Sequence, residues 1–342
     1  MNRHLSIDAN RVRAFSPTAF DERGDVFEYR AARIIDAPAI CDLFVRAERH
    51  DDVPRVLELD ELIEELSSAS ADLDENSMVA LDGGRIVGFV SVSHRRADAV
   101  EQRCHIGGVV DPHHRQRGIG GTLVGFAVGR SRSILEAIDD ELPKYIRLQI
   151  YEYVASVNRL ALALGFSPVR YFDDLLRPLT DLPERMTIEG LTLAPWPDGR
   201  DDDARITRNA SFLDHWGSVP TSPEIWREQL HGFGGRPDLS FVACDASTDE
   251  IVSVLVSARY EADDTLLGRS DGWIQTLGTL REWRGTGIGT ALIVEAMHAY
   301  RAAGLTHASI GVDSENPSGA ARLYRGLGFE PVQRMITYQI SV

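Results

Sequence analysis

A short arginine-led, glycine-rich loop occurs twice in this chain, each time between a β-like run and a long amphipathic helix pattern. The first copy is Arg115, Gln116, Arg117, Gly118, Ile119, Gly120; the second is Arg284, Gly285, Thr286, Gly287, Ile288, Gly289. The first leads through Gly121 and Leu123 into an apolar face of Val124, Phe126, Ala127 and Ile134. The second leads through Thr290 into Leu292, Ile293, Ala296 and Met297, so both copies open helices. A helix starting at such a loop leaves its first N–H groups without intrahelical partners. It also turns the positive end of its dipole toward the loop, and together these hold an anion without a dedicated cationic side chain. The expected ligand is a phosphate or pyrophosphate. Glycine is needed because a Cβ would keep phosphate oxygens away from the amides, and the leading arginine adds a charge-assisted contact or braces the loop.

Two better-known phosphate loops do not fit. A Rossmann fingerprint wants a third glycine or alanine three residues after the second, where this chain has Leu123 and Leu292. A P-loop wants lysine followed by serine or threonine, and neither copy has that pair. What remains is R-x-x-G-x-G after a strand.

That pattern resembles the coenzyme A pyrophosphate loop of the GNAT acetyltransferase superfamily. The segment from Asp313 through Asn316, Leu323, Tyr324, Gly328 and Phe329 is similar to the family's later N…LY…GF stretch. The first half has a counterpart in Asn158, Leu160, Ala161, Gly165 and Phe166, with Ala161 where Tyr324 stands. The resemblance implies that Tyr324 is the general acid. It also implies that Gly278, Thr279 and Leu280 give backbone groups to pantetheine as an added strand, and that Asn316 contacts the cofactor arm. Arg284, Gly285, Thr286, Gly287, Ile288, Gly289 and Thr290 would enclose the pyrophosphate. In the first half the same roles fall on Gly108, Val109 and Val110, then on Arg115, Gln116, Arg117, Gly118, Ile119, Gly120 and Gly121. Coenzyme A binding there stays open, even though Ala161 cannot donate a proton. Catalysis is expected in the second domain alone, leaving the first as a remnant, a regulator or a scaffold.

Acyl transfer to an amine needs a deprotonated amine, a polarised thioester carbonyl and a proton for the leaving thiolate, whose acidity lies near a pKa of about 8.5 by analogy with cysteine. A tyrosine near about 10 can donate to that sulfur as charge develops. In tandem members of mycothiol-synthase layout, a carboxylate on the strand before the loop serves as base. Here the run from Gly272 through Trp273 and Gln275 to Leu277 has no acid, a departure that counts against a mycothiol-type substrate. Asp271, Asp214 and Glu315, or a water chain, are the substitutes. All five tryptophans (Trp196, Trp216, Trp226, Trp273 and Trp283) lie in the second half. Core packing accounts for most of them; Asp214, His215, Trp216 and Trp273 are the residues expected at the acceptor.

Length and composition fit two domains. A chain of 342 residues exceeds the usual single core, and the loop arginines stand about 170 positions apart, so the repeat unit is a whole domain. The order of elements predicts an α/β fold (mixed α+β) of two tandem GNAT-like domains, each a twisted mixed β-sheet flanked by helices. Residues 1–26 lack periodicity and are expected to be a flexible leader; residues 27–184 form the first domain and 185–342 the second. The joint is placed at the proline-rich, polar stretch from Arg177 to Glu184. With 36 basic and 52 acidic residues the net charge is −16, which disfavours nucleic acid and anionic membranes as partners. Cys41, Cys104 and Cys244 are unclustered and without metal spacing, which suits a reduced, cytoplasmic protein; the adjacent His113 and His114 read as solvated loop residues. No run approaches about 18 apolar residues. The function expected is an acetyl-CoA-dependent N-acetyltransferase acting by direct attack of a primary amine of a small molecule or peptide. The alternative is an acyl-CoA- or CoA-binding regulatory protein without transfer activity. The acceptor, acyl-chain preference and oligomeric state stay open.

Overall fold

The computed structural model describes residues 18–20, 26–68, 71–95, 100–315 and 320–342. The first half runs β1 (Thr18–Phe20), β2 (Val26–Arg30), α1 (Ala37–His50), α2 (Leu59–Ser67), α3 (Leu73–Asn76), β3 (Ser77–Asp82), β4 (Arg85–Arg95), β5 (Gln102–Val110), α4 (Ile119–Glu136), β6 (Lys144–Tyr151), α5 (Ala155–Ala163) and β7 (Ser167–Pro178). The second half repeats the order with β8 (Leu191–Pro195), α6 (Asp201–Ser211), α7 (Pro223–His231), β9 (Phe241–Asp245), β10 (Ile251–Ala258), α8 (Asp263–Leu267), β11 (Asp271–Thr279), α9 (Ile288–Ala302), β12 (His307–Asp313), α10 (Ala320–Gly326) and β13 (Glu330–Ser341). Thr18–Phe20, inside the stretch expected to be a flexible leader, pair antiparallel with β2.

The described strands join one 13-stranded sheet in the order β1-β2-β3-β4-β5-β6-β13-β7-β12-β11-β10-β9-β8. The two halves therefore exchange their last strands. β13, from the end of the chain, pairs with β6 of the first half, while β7, from the first half, pairs with β12 of the second; β7 and β13 then pair with each other at the centre. Ile336 and Tyr338 of β13 lie in the core beneath α4, and Leu175 of β7 with the following Leu179 lies in the core beneath α9. Each such side chain withdrawn from water is worth roughly 1.5–3 kcal/mol, so each core depends on the other half's strand.

Burial alternates along the strands, and the two sheet faces are covered by different helices. On one face α4 and α9 pack against Val87, Val90 and Cys104, and against Val252, Leu255 and Ile274. On the other face α1 and α2 cover Val79, Leu81 and Phe89, while Ala204 of α6 and Trp226 and Leu230 of α7 cover Val242, Val254 and Val256. α7 starts where its chemistry says: Ser222 Oγ accepts from Ile225 N at 3.3 Å, with Pro223 in the first turn. The chain between the halves adheres to α9 through a hydrogen bond between His298 Nε2 and Pro183 O at 2.9 Å and an Arg185–Glu295 ion pair at 3.0 Å.

Candidate active site

In both halves a parallel strand pair opens like a V. β11 and β12 pair only from Asp271 and His307 to Ile274 and Ile310; β5 and β6 pair only from Gln102 and Lys144 to His105 and Arg147. Past those points β11 stays bonded to β10 through Leu277, Gly278 and Thr279, and β5 to β4 through Gly108, Val109 and Val110. The sides facing the opening are free to receive an extended ligand in the manner of an added strand.

The glycine loops close the wide ends of both openings, with matching backbones. Gly285 and Gly287 have φ of 79° and 92°, and their counterparts Gln116 and Gly118 have 62° and 80°. Gln116 holds a left-handed conformation that favours glycine, at a cost on the order of 1 kcal/mol, so the first loop keeps its shape against its own sequence. The first helical bonds are Ala291 N to Gly287 O at 3.0 Å and Thr122 N to Gly118 O at 3.1 Å. The amides of Ile288, Gly289 and Thr290, and of Ile119, Gly120 and Gly121, precede those bonds at a positive helix end. This is the anion cradle expected of a pyrophosphate loop, and the residues fit such a group.

The loop arginines act as braces. Arg284 donates from Nε to Thr279 O at 3.2 Å and from Nη2 to Ser211 O at 2.7 Å, and it clasps Asp214 at 2.6 and 2.9 Å. Arg115 does the same with Val110 O at 3.3 Å and Asp51 at 2.6 and 2.7 Å. Asp214, expected at the acceptor, is thus held by the loop arginine, whose hydrogen bonds keep its carboxyl below the usual aspartate range. The other carboxylates offered as a base are also engaged: Glu315 pairs with Arg170 at 2.8 Å and Asp271 with Arg269 at 3.0 Å. His114, expected to be solvated, has a largely covered side chain 3.1 Å from Asp82, and Arg117 lies over the Phe27 ring at 4.6 Å.

Tyr324 is 6 % exposed, sits in the same apolar cluster as Ile288 and Leu292, and packs edge-on to Phe329 at 6.0 Å. Its neighbour Leu323 comes 3.5 Å from where a Cβ would stand on Gly289, which ties α10 to the start of α9. Burial pushes the phenol's pKa up, so it stays protonated at neutral pH. In the first half the backbone is the same. Phe166 N bonds to Ala161 O at 3.0 Å as Phe329 N bonds to Tyr324 O at 3.0 Å, and Leu160 approaches Gly120 as Leu323 approaches Gly289. The phenol has no counterpart at Ala161. Asn158 is occupied internally, donating to Tyr151 O and Val154 O at 2.9 Å and accepting from Tyr338 of the exchanged strand at 2.9 Å. Asn316 lies outside the described residues.

A second asymmetry was not anticipated from the sequence. The β10–β11 register slips between Val256 and Ser257, which face Thr276 and Ile274, so Gln275 is a bulge; the β4–β5 register runs without a break. One residue more separates core-facing Ile274 from Arg284 than separates Ile106 from Arg115, a signal that aligning the two halves would have exposed. A bulge beside an opening strand re-aims backbone groups into it.

Of the expected acceptor residues, His215 turns Nδ1 to Trp216 O at 3.1 Å, and burial lowers its pKa. Trp216 reaches the centre of the molecule, 4.4 Å from the Arg147 guanidinium, 5.3 Å from that of Arg170 and 6.4 Å from the Phe172 ring. Trp273 stands beside Ser309 on the face of β11 away from α9, with its ring edge near Gly311. Among the described residues no cluster of histidine, cysteine or carboxylate suits a metal ion.

The sequence profile of the acetyltransferase (GNAT) family matches residues 38–140 and 204–329. The chain belongs to the GNAT acetyltransferase family. This tandem GNAT protein is 31 % identical over 259 residues to a mycothiol acetyltransferase of Thermobispora bispora, covering 74 % of this chain and 79 % of that one. Its fold is similar to that of a GCN5-related N-acetyltransferase from Sphaerobacter thermophilus, with a TM-score of 0.74 at 24 % identity over 94 % of this chain and 97 % of the other. It is also similar to a tandem GNAT protein from the clavulanic acid biosynthesis pathway, with a TM-score of 0.66 at 17 % identity over 92 % and 98 %. In this GNAT acetyltransferase, no helix among the described residues is long and apolar enough to cross a membrane.

Proposed function

We propose that the second half is the catalytic one and that it moves acetyl from acetyl-CoA to a primary amine of a small molecule or peptide by direct attack. The contrast between Tyr324 and Ala161 on matching backbones carries this reading: two similar clefts differ in whether a proton donor stands beside them. The bulge at Gln275, present in the same half, supports it.

In this reading the amides from Gly285 to Thr290 hold the pyrophosphate, the free side of β11 near Gly278 and Thr279 takes the pantetheine arm, and Tyr324 protonates the leaving sulfur. Acetyl-CoA, when bound, supplies the activated thioester. Arg284 orders the loop from behind. The first half keeps the loop and completes the second half's sheet through β7.

A thiol-release assay over aminoglycosides, polyamines, amino-sugar conjugates and peptide N-termini tests the reading, run on wild type and Tyr324→Phe. Turnover should fall by about 10²–10⁴-fold with acetyl-CoA affinity unchanged. Equal turnover in the two proteins would remove Tyr324 from the chemistry.

A further inference from the structure

The exchanged strand brings a carboxyl group to the sheet beside the second half's opening. Asp174 lies on β7 directly opposite Gly311 of β12, one residue past the last β11–β12 pair, on the sheet face turned away from α9. It is 7 % exposed. Its Oδ2 accepts from Gln333 Nε2 at 2.6 Å, while its Oδ1 is buried with no hydrogen-bond partner among the described residues. A carbon placed where a Cβ would stand on Gly311 lies 3.3 Å from that Oδ1 and 3.4 Å from Trp273 Cζ2, and Gly311 itself is exposed. Ser309 Oγ, two residues earlier on β12, is likewise buried and has no partner among the described residues.

The first half makes the same crossing without a charge. There β6 and the exchanged β13 place Gln149 opposite Thr337, and the two side chains satisfy each other, Gln149 Nε2 donating to Thr337 Oγ1 at 3.2 Å. So the half that has Tyr324 and the bulge also has the unpartnered carboxylate, and the half that lacks both has a closed amide–hydroxyl pair. A buried acceptor left without a donor is destabilising, and a donor from a ligand would satisfy it.

We propose that Asp174, carried in on β7, receives the acceptor's ammonium over Gly311 and against Trp273, and takes its proton so that the free amine can attack. The proposal rests on the transferase reading. One ammonium proton passes to Asp174; the nitrogen–acetyl-carbon bond forms as the carbon–sulfur bond breaks, and Tyr324 gives its proton to the sulfur. The nitrogen then returns its surplus proton to the Tyr324 phenolate, and Asp174 releases the first proton to water. Burial raises the pKa of Asp174, as a base of this kind requires. The charged and titratable groups around it are Asp173, paired with Arg334; Asp313, paired with Arg170; and the phenols of Tyr151 and Tyr153, all of which keep their own partners or protons near neutrality.

Two experiments test this. In the first, the full chain with ¹³C-carboxyl aspartate is titrated by NMR with and without methylammonium chloride, the Asp174 signal being the one lost in Asp174→Asn. Its midpoint should lie above the ordinary value of about 3.9 and fall as methylammonium is added; an ordinary midpoint that methylammonium leaves in place overturns the proposal. In the second, Asp174→Asn should lower kcat/KM for every reactive amine by about 10²-fold or more and remove the acidic limb of its pH profile. Gly311→Ala, whose methyl occupies the proposed ammonium position, should raise the amine KM by about tenfold or more with a smaller effect on kcat. Acetyl-CoA affinity by calorimetry should be unchanged in both variants, and turnover within threefold of wild type in both would refute the role. If wild type neither binds acetyl-CoA nor releases thiol, the transferase reading falls, and the NMR titration still decides Asp174.

Discussion

Replacing Arg284 by glutamine separates a brace from a phosphate contact. The guanidinium donates to two backbone carbonyls, Thr279 O and Ser211 O, and clasps Asp214, so it ties the loop to both the end of β11 and the end of α6. Hydrogen bonds from a charged donor are worth about 1.5–3 kcal/mol each, and the half-exposed ion pair adds only about 0–1 kcal/mol because water screens it. Arg284→Gln thus removes at least about 3 kcal/mol from the ordered loop. If about 2–4 kcal/mol of that must be restored when the ligand binds, acetyl-CoA affinity falls about 30- to 1000-fold. Calorimetry at two salt concentrations distinguishes the roles. A brace leaves the salt dependence of binding as it is in wild type, whereas loss of a direct phosphate contact weakens it. Arg284→Lys should recover little, because an ammonium cannot span two carbonyls and a carboxylate in one plane. Wild-type affinity in Arg284→Gln, or a flattened salt dependence, would refute the bracing role.

Stability should fall on the alkaline side. Burial raises the pKa values of Tyr151, Tyr300 and Tyr324, so the folded chain keeps phenol protons that the unfolded chain gives up near about pH 10. Their contribution is intact below that value and is lost as pH rises above it, so the urea midpoint should drop between about pH 10 and 12; a flat midpoint would contradict it. Ending the chain after Phe329 removes β13, and hydrogen exchange should then show lost protection at β6 while β9 and β10 keep theirs. Equal loss in both halves would argue against the exchange.

The sequence discloses the fold through features that act locally. The two loops, the helices they open, and strands such as Phe241–Asp245 follow from periodicity and glycine placement, and Tyr324 follows from the resemblance. Partner choice among strands does not. Because β7 and β13 are equivalent strands of a duplication, they carry the same alternation, and nothing in that alternation says which half's edge each will take. Asp271, Asp214 and Glu315, the second half's candidates for a base, are all paired with arginines. Asp174 stood in the other half's sequence. The bracing role of Asp214 was hidden for a related reason, since its contact with Arg284 spans 70 positions.

The crossed strands also bear on how the chain is made. A ribosome delivers the first half without the strand that seals its core, because that strand, β13, follows β8 to β12 of the second half in the chain. Until then the apolar edge at β6 and the unpaired β7 must wait, each available to a neighbouring copy of the nascent chain. Closure of the sheet is therefore a single event that waits for β13, and the two clefts come into being together.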